Sequence, residues 1–143
     1  MEELNINSNI KEVIKFLEEN PVQYLATVGR DGKGKVRPFM FCIEHNKKLW
    51  FCTNNKKDVF KDMQNNPYIE ISTSSASYSW IRLSGKGVFE DNKEVKEKCI
   101  STNPIVKEQY KIPDNPLFEV FYIDEACAII EDINGNPPKI YNL

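Results

Sequence analysis

A cluster of residue types suited to binding phosphate lies in the first half of the chain. An Arg-Pro strand is followed by an aromatic strand that ends in Thr53, and Lys56 and Lys57 then open a short helix. The start of a helix directs free backbone N–H groups and the positive end of its dipole at one point. The two lysines add full charge there, and Arg37 on the neighbouring strand offers a planar set of donors to phosphate oxygens. The pattern predicts a site for a phosphorylated ligand.

Pro38 interrupts what is otherwise a strand pattern, KVRPFMFCIE. Proline removes a donor from the sheet ladder and is tolerated mainly at edges and bulges. Two interpretations remain open. Either the segment is an edge strand, or the chain leaves its neighbour here so that backbone groups of Pro38, Phe39 and Met40 meet the polar rim of a planar ligand.

An aromatic and a basic residue in a later strand are further candidates. Trp80 follows the sequence Ser-Tyr-Ser, a mix that a fully buried strand would not favour. Its ring either flanks a flat heterocycle or lies half-buried at a barrel rim or a dimer interface. Arg82 shares the face of Trp80 because side chains alternate along a strand. Trp50, by contrast, is predicted to lie in the core.

The cysteines and the histidine do not predict a metal site. The four cysteines are widely spaced without a Cys-x-x-Cys pair, and His45 is the only histidine. We expect reduced, buried thiols that pack as small apolar residues, with a redox-active cysteine as the alternative. His45 lies in a polar turn and is predicted to be on the surface.

Composition predicts one domain, residues 1–143. Hydrophobic residues make up 41% of the chain and charged residues 28%, with a net charge of -2. This balance lacks the basic excess of a general nucleic-acid binder. No apolar run approaches the roughly 20 residues of a membrane helix, and the first residues lack the pattern of a secretory leader. We therefore expect a cytoplasmic protein with neither nucleic acid nor membrane as a partner.

Hydrophobic periodicity and turn signals predict the elements that position these residues. Ser8 precedes a helical pattern that Asn20 and Pro21 stop. Short loops then join three consecutive antiparallel strands, and a short helix covers residues 57–64. A strand and a second strand with a bulge near Gly85 follow. After a charged helical stretch and an irregular proline-containing region comes one long final strand.

The predicted fold is mainly β with short helices, arranged as a six-stranded antiparallel barrel. A sheet of that many short strands usually closes to remove its edges. A small closed barrel fills its own interior with side chains. A sizeable ligand is therefore expected on the outside of the barrel or at a subunit interface.

Motifs for a protein nucleophile or for a nucleotide phosphate loop are missing from the sequence. It contains no glycine-rich phosphate loop, no G-x-G-x-x-G after a strand, no H-E-x-x-H and no nucleophile elbow. If the protein is an enzyme, a cofactor supplies the chemistry. A flavin fits this requirement because it transfers hydride without a side-chain nucleophile.

Three segments together resemble a known family. They are NPVQYLATVGRDGKGKVRPFMF, LWFCTNNKKDVFKDMQNNPYIEI and WIRLSGKGVFED. Their order, from Arg-Pro strand to aromatic strand, paired lysines, helix and glycine-containing strand, resembles the pyridoxamine 5'-phosphate oxidase-related flavoproteins. These form the FMN-binding split-barrel family, and the resemblance is to its short, nitroimidazole-reductase-like branch.

The resemblance implies a six-stranded split barrel that forms a homodimer, with FMN in clefts between the subunits. It implies that basic residues hold the FMN phosphate, that backbone groups line the flavin ring, and that a later strand approaches across the subunit boundary. The implied cofactor contacts are Arg37, Lys56, Lys57, Thr53, Cys52, Pro38, Phe39, Met40, Trp80 and Arg82.

A departure from the family's pattern restricts which of the family's reactions we expect this chain to catalyse. True pyridoxamine phosphate oxidases resemble one another in a C-terminal arginine-containing segment, whereas this chain has no arginine after Arg82. We therefore do not expect it to oxidise pyridoxamine phosphate. The leading hypothesis is an FMN-dependent oxidoreductase that acts on a small molecule, with its catalytic residues unassigned. The alternative is a non-catalytic flavin- or haem-binding module.

Overall fold

The protein is described by a computed structural model that covers residues 2–143, with side chains from Ser8 onward. Its elements, in chain order, are α1 (Glu2–Glu19), β1 (Gln23–Val28), β2 (Gly34–Phe39), β3 (Phe41–His45), β4 (Lys48–Asn54), α2 (Asp58–Asn65), β5 (Tyr68–Ser74), β6 (Ser79–Phe89), α3 (Lys93–Thr102), α4 (Pro104–Tyr110), β7 (Phe118–Asp132) and β8 (Lys139–Asn142). In this part of the chain, no helix combines the length and apolar character needed to cross a bilayer.

The strands form one sheet in the order β2-β1-β5-β6-β7-β4-β3, and β8 pairs with β7. β2 and β3 are the two ends of this order, yet only Met40 separates them in the chain. Because two Cα–Cα steps span at most about 7.6 Å, the sheet must curl until its ends meet at Met40. The strand pairs described do not join β2 to β3, so the barrel is split between them. The predicted split barrel is therefore confirmed.

The strand number differs from the predicted six because two segments behave differently from their sequence pattern. KVRPFMFCIE divides at Met40 into β2, which pairs with β1, and β3, which pairs with β4. The C-terminal KIYN, which follows the strand predicted to be the final one, forms β8 beside β7. Pro38 thus lies in an edge strand, close to the point where the chain changes its neighbour, which confirms the first interpretation of this proline. The contact of Pro38, Phe39 and Met40 with a planar ligand stays a prediction.

The interior of the barrel is filled by large apolar side chains. Leu25, Phe51, Ile71, Leu83 and Phe121 are all fully buried. The rings of Phe51 and Phe121 stack with their centroids 5.6 Å apart. Among the described residues, these side chains fill the barrel interior, as the sequence predicts, so we expect a sizeable ligand to bind outside it.

Helices cover two further surfaces of the barrel. α1 begins at Glu2 and not at the predicted Ser8, and it buries its apolar face against the barrel. α3 and α4 cover the outer face of β4 and β7. The buried residues of this second core are Trp50, Val95, Cys99, Ile100, Val106, Tyr110, Phe118 and Val120. The prediction that Trp50 lies in a core is confirmed.

The predicted bulge near Gly85 is confirmed by a register shift between Ser84 and Lys86 where β6 pairs with β7. A Cβ atom at Gly85 would lie 2.5 Å from the carbonyl oxygen of Asp124. Glycine is required here because the two backbones approach so closely. The bulge bends β6 between its two partners.

Candidate functional site

A cleft of about 320 Å³ opens on the outside of the barrel where β2 passes into β3. The junction of these strands forms one wall, the end of β4 forms the floor, and α4 forms the opposite wall. We call it the junction cleft. Its lining residues are Pro21, Val22, Pro38, Phe39, Met40, Cys42, Cys52, Thr53, Lys57, Ile105, Val106, Gln109 and Tyr110. Most of the site residues predicted from the sequence therefore share one cleft.

Thr53 lines the junction cleft and carries a buried hydroxyl group without a hydrogen-bond partner among the described residues. The residue is only 2% exposed. Its Oγ1 atom forms no hydrogen bond with any residue that the structure describes. A buried hydroxyl without a partner costs about 1–3 kcal/mol. Because Thr53 lines the cleft, a polar ligand atom is the partner that its position favours.

Lys57 brings positive charge to the same cleft at the start of α2. It is the N-cap residue of this helix and makes no side-chain hydrogen bond to the helix backbone. An ammonium group has no acceptor for the free N–H groups of the first turn, and its charge opposes the helix dipole. A bound anion would satisfy the N–H groups and offset the charge.

Two charged contacts attach α2 to the turn between β1 and β2. The Arg30 guanidinium donates from Nε to Oδ1 of Asp62 over 2.7 Å and from Nη2 to Oδ1 of Asp58 over 2.7 Å. The Asp62 side chain is 5% exposed. Its hydrogen bonds with Arg30 hold the pKa of Asp62 below its ordinary value. These contacts therefore fix the first turn of α2 beside the junction cleft. No local sequence pattern indicates that Arg30 pairs with Asp58 and Asp62.

Arg37 lies in a neighbouring cleft of about 680 Å³ and not in the junction cleft. Its Nη1 atom donates to Oγ1 of Thr27 over 2.6 Å and to the carbonyl oxygen of Leu25 over 3.3 Å. Burial lowers the pKa of Arg37, while the carboxylates of Asp62 and Asp58 act in the opposite sense. The guanidinium remains charged. The neighbouring cleft adjoins the junction cleft because Arg37 precedes Pro38 and Asp58 follows Lys57.

Three predicted site residues lie outside both clefts. Lys56 is exposed in the turn before α2. Trp80 donates from Nε1 to Oε2 of Glu131 over 3.1 Å, and Arg82 donates from Nη2 to Oε1 of Glu70 over 2.9 Å. Both β6 side chains lie on the outer face of the sheet, since the alternate residues of β6 are buried.

Seven residues that line the cleft were not predicted from the sequence, and three of them carry a polar or ionisable side chain. Gln109 and Tyr110 belong to α4, in the region predicted to be irregular. The available signal was Asn103 before Pro104, because asparagine caps a helix and proline suits its first position. Burial raises the pKa of Tyr110 to about 12, so its phenol keeps a donor O–H at neutral pH. The third residue, Cys42, follows directly after the division between β2 and β3.

The prediction that His45 lies on the surface is wrong. The residue is 8% exposed. Its Nδ1 atom lies 3.1 Å from Nζ of Lys98, and its Nε2 atom lies 3.8 Å from Oε2 of Glu94. The reason is that α3 packs over the end of β3, where His45 lies. Within residues 8–143, no group of three or more His, Cys, Asp or Glu side chains is arranged to hold a metal ion.

One row of outward-facing residues connects the edge of the junction cleft with β6 and β8. In antiparallel strands, paired residues point to the same face. The row, in order across the sheet, is Pro38, Tyr24, Ser72, Arg82, Ile129 and Ile140. Tyr24 is 49% exposed and Ile140 is 61% exposed, so this face presents apolar surface.

Comparison with known proteins gives one family match and several structural matches. The family model described as Pyridoxamine 5'-phosphate oxidase matches residues 10–124. The crystal structure of a NimC/NimA family protein from Clostridium acetobutylicum is 34% identical in sequence. Its TM-score is 0.87, over 95% of this chain and 93% of that chain.

More distant structures share the fold. A protein from Clostridium acetobutylicum related to general stress protein 26 of Bacillus subtilis, of the pyridoxinephosphate oxidase family, is 16% identical. Its TM-score is 0.73, over 95% of both chains. A pyridoxamine 5'-phosphate oxidase-related, FMN binding protein from Nostoc punctiforme is also 16% identical, with a TM-score of 0.67 over 92% of this chain and 89% of that chain. No curated protein sequence matches the chain.

Proposed function

Because the chain belongs to the pyridoxamine 5'-phosphate oxidase family, we propose that it binds FMN in the junction cleft and acts as an oxidoreductase on a small molecule. The observation that carries this proposal is the Thr53 hydroxyl, which is buried in the cleft without a partner among the described residues. The cleft volume of about 320 Å³ falls within the range of small-molecule sites. When bound, the flavin supplies hydride or electron transfer.

The proposed phosphate position lies at the start of α2. Lys57 lines the junction cleft, and no Lys57 side-chain hydrogen bond caps the first turn of α2. Arg37 lies on the neighbouring-cleft side of β2, with a guanidinium that presents Nε and Nη2 beyond the hydrogen bonds of Nη1. Two cations and a helix start in this arrangement suit a dianionic phosphate. An FMN binding protein among the structural relatives supports this ligand.

The proposed flavin ring position lies against the division between β2 and β3. Pro38, Phe39 and Met40 line that wall of the cleft, where the pairing of β2 with β1 ends at Phe39 and the pairing of β3 with β4 begins at Phe41. Thr53 supplies a hydroxyl from the floor. Tyr110 supplies an O–H from α4 on the opposite side. The polar rim of a planar ring would therefore have contacts from both walls.

We further propose a homodimer through the outer face of the sheet. Within one chain, Arg82 is three strand spacings from Pro38, a separation of about 14 Å. A second copy packed on this face would cover Tyr24 and Ile140 and bring its own Trp80 and Arg82 towards the cleft. This arrangement accounts for the position of both β6 side chains on the outer face. The four free cysteines agree with a cytoplasmic location.

The first test is FMN titration of the protein freed of flavin, followed by flavin fluorescence. We expect Lys57→Ala to weaken FMN binding by roughly ten-fold or more, because a charge-assisted hydrogen bond contributes about 1.5–3 kcal/mol. Lys61→Ala removes the same charge from an exposed position of α2 and should bind FMN as wild type does. Lys56→Ala measures whether the second predicted lysine contributes. Equal affinity of the Lys57→Ala and Lys61→Ala proteins would place the phosphate elsewhere.

The second test separates an enzyme from a binding module. The visible spectrum of the purified protein identifies a flavin, a haem or neither. Reduced flavoprotein is then mixed with a panel of nitroaromatics and quinones under anaerobic conditions. Rapid reoxidation by one class supports an oxidoreductase and names its substrate chemistry. Reoxidation by oxygen alone would support the binding module, and a haem spectrum would contradict the FMN proposal.

A further inference from the structure

Two cysteine side chains meet in the floor of the junction cleft. The Sγ atoms of Cys42 in β3 and Cys52 in β4 lie 3.4 Å apart. Both residues are half-buried, and both line the cleft. The pair is therefore within reach of a small molecule that enters the cleft.

The distance between these sulfur atoms is close to bonding range. A disulfide requires about 2.05 Å, so each sulfur would move by less than about 1 Å. A register shift between Phe41 and Ile43 places Cys42 in a bulge of β3. Bulges redirect side chains, and β3 is an edge strand that can adjust without disturbing a second neighbour. The geometry thus permits a bond between the two strands.

We infer that Cys42 and Cys52 form a reversible dithiol–disulfide pair, a second redox site in the floor of the junction cleft whose oxidants are low-molecular-weight disulfides. The inference needs no flavin, and the pair lines the same cleft as the proposed FMN site. The reaction consumes one small disulfide and yields two small thiols.

The two cysteines take different roles in this exchange. Hydrogen bonding with the Cys52 and Cys99 sulfurs, together with burial, raises the pKa of the Cys42 thiol well above its ordinary value. Cys42 therefore keeps its proton at neutral pH, and we assign the first attack to Cys52. Cys52 breaks the small disulfide, forms a mixed disulfide and releases one thiol. Cys42 then attacks the Cys52 sulfur, gives up its proton and expels the second thiol.

The remaining cysteines lie in different surroundings. Cys99 in α3 is fully buried behind the pair. Cys127 lies on β7, where it is paired in register with Ser84 and Asn142. We therefore expect neither to take part, and Cys127→Ser provides a matched control.

The test uses the full chain with oxidised glutathione as the probe. Remaining thiols are blocked with N-ethylmaleimide, and peptides are mapped by mass spectrometry without reduction. We expect a peptide pair joined through Cys42 and Cys52, lighter by two hydrogen atoms and restored by dithiothreitol. A link between Cys42 and Cys99, or four alkylated cysteines, would overturn the inference. This measurement on the wild-type chain does not depend on the folding of any variant.

Two single variants test the assigned roles. Cys42→Ser should accumulate the mixed disulfide of glutathione with Cys52, since the resolving thiol is absent. Cys52→Ser should form neither the mixed nor the internal disulfide. Cys127→Ser should form the Cys42–Cys52 link as wild type does. Glutathione attached to Cys42 in the Cys52→Ser protein would contradict the order of attack.

Discussion

Thr53 is a residue at which stability and ligand binding make opposite demands. Its hydroxyl is buried at the end of β4, where no described residue accepts a hydrogen bond from it or donates one to it. The unliganded protein therefore carries the desolvation cost of this group. A ligand that bonds to the hydroxyl recovers that cost, so the same atom lowers stability and raises affinity.

Replacement of Thr53 by valine should separate these two effects. We expect Thr53→Val to raise the free energy of unfolding of the flavin-free protein by about 1 kcal/mol, because an unpaired buried polar group is removed. FMN affinity should fall by roughly two- to ten-fold through the lost hydrogen bond. Chemical denaturation and flavin titration measure the two quantities.

Thr53→Ser provides the matched control for the valine change. It keeps the hydroxyl and removes the methyl group, so we expect FMN affinity close to wild type and a stability loss of about 1 kcal/mol. If the valine and serine variants bound FMN equally, the Thr53 hydroxyl would not be a ligand contact.

At the scale of elements, α2 depends on a charged contact with the β1–β2 turn. Arg30 joins the buried Asp62 and the exposed Asp58, whose side chains are 5% and 81% exposed. The same contact fixes the position of Lys57, because the helix begins directly after it. An ion pair that stabilises the fold here also orients the proposed phosphate site.

The pH dependence of stability should report this contact. The pKa of Asp62 in the folded protein lies below its ordinary value of 3.8. Its contribution is therefore complete above that value and is lost as the pH falls through the folded pKa. We expect Asp62→Asn to be less stable than wild type at pH 7, with the difference shrinking below pH 3.8. Urea denaturation across this pH range measures the difference.

Asp58→Asn is the control for this prediction. It removes the exposed partner of the same arginine, and solvent screening makes such exposed pairs weak. A loss of stability as large as that of Asp62→Asn would show that burial of Asp62 is not what makes the contact important.

The elements show what sequence patterns can and cannot predict. Periodicity gave the strands, the helix at α2 and the bulge at Gly85, because each of these depends on local residue order. It did not show that KVRPFMFCIE changes its neighbour at Met40, since alternation is the same on either side of such a change. It also missed β8, whose four residues gain their structure from pairing with β7.

The sequence likewise predicted only the part of the candidate site that depends on residues close in the chain. Pro38 to Met40, Thr53 and Lys57 lie together because they are close in the hairpin order. Arg37 and Lys56 are each one residue away in the chain from a residue that lines the cleft. Whether a side chain reaches the cleft depends on its direction, which residue spacing alone does not predict. Gln109 and Tyr110 reach the cleft only through packing of α4 on the barrel.

At the scale of the whole molecule, one face of the sheet carries apolar residues that a monomer leaves exposed. Val36 is 68% exposed and Ile140 is 61% exposed on this face. Trp80 and Arg82 lie on the same face. Association through it would bury the apolar side chains and complete the junction cleft with residues of a second chain.

A charge on this face should prevent the proposed dimer. We expect wild type to sediment at twice the chain mass of 16.6 kDa and Ile140→Glu to sediment as a monomer. A carboxylate buried in an interface without a partner costs several kcal/mol. We also expect the monomeric variant to lose FMN affinity. Sedimentation velocity and flavin titration measure both effects.

Ile112→Glu is the matched control because Ile112 is 57% exposed and lies beyond α4, away from this face. It should remain dimeric with unchanged FMN affinity. A dimeric Ile140→Glu protein would show that the outer face of the sheet is not the interface.

The pairing of β4 with β7, which are far apart in the chain, also determines how the chain can fold during synthesis. β4 pairs with β7 in a register that joins Asn54 to Phe118, so its second partner is made much later. The β3–β4 hairpin therefore leaves the ribosome with an unpaired edge that only the last third of the chain can cover. Such long-range pairing gives a high contact order and slow folding. Until β7 has been synthesised, the nascent chain exposes this aggregation-prone edge, to which chaperones are expected to bind.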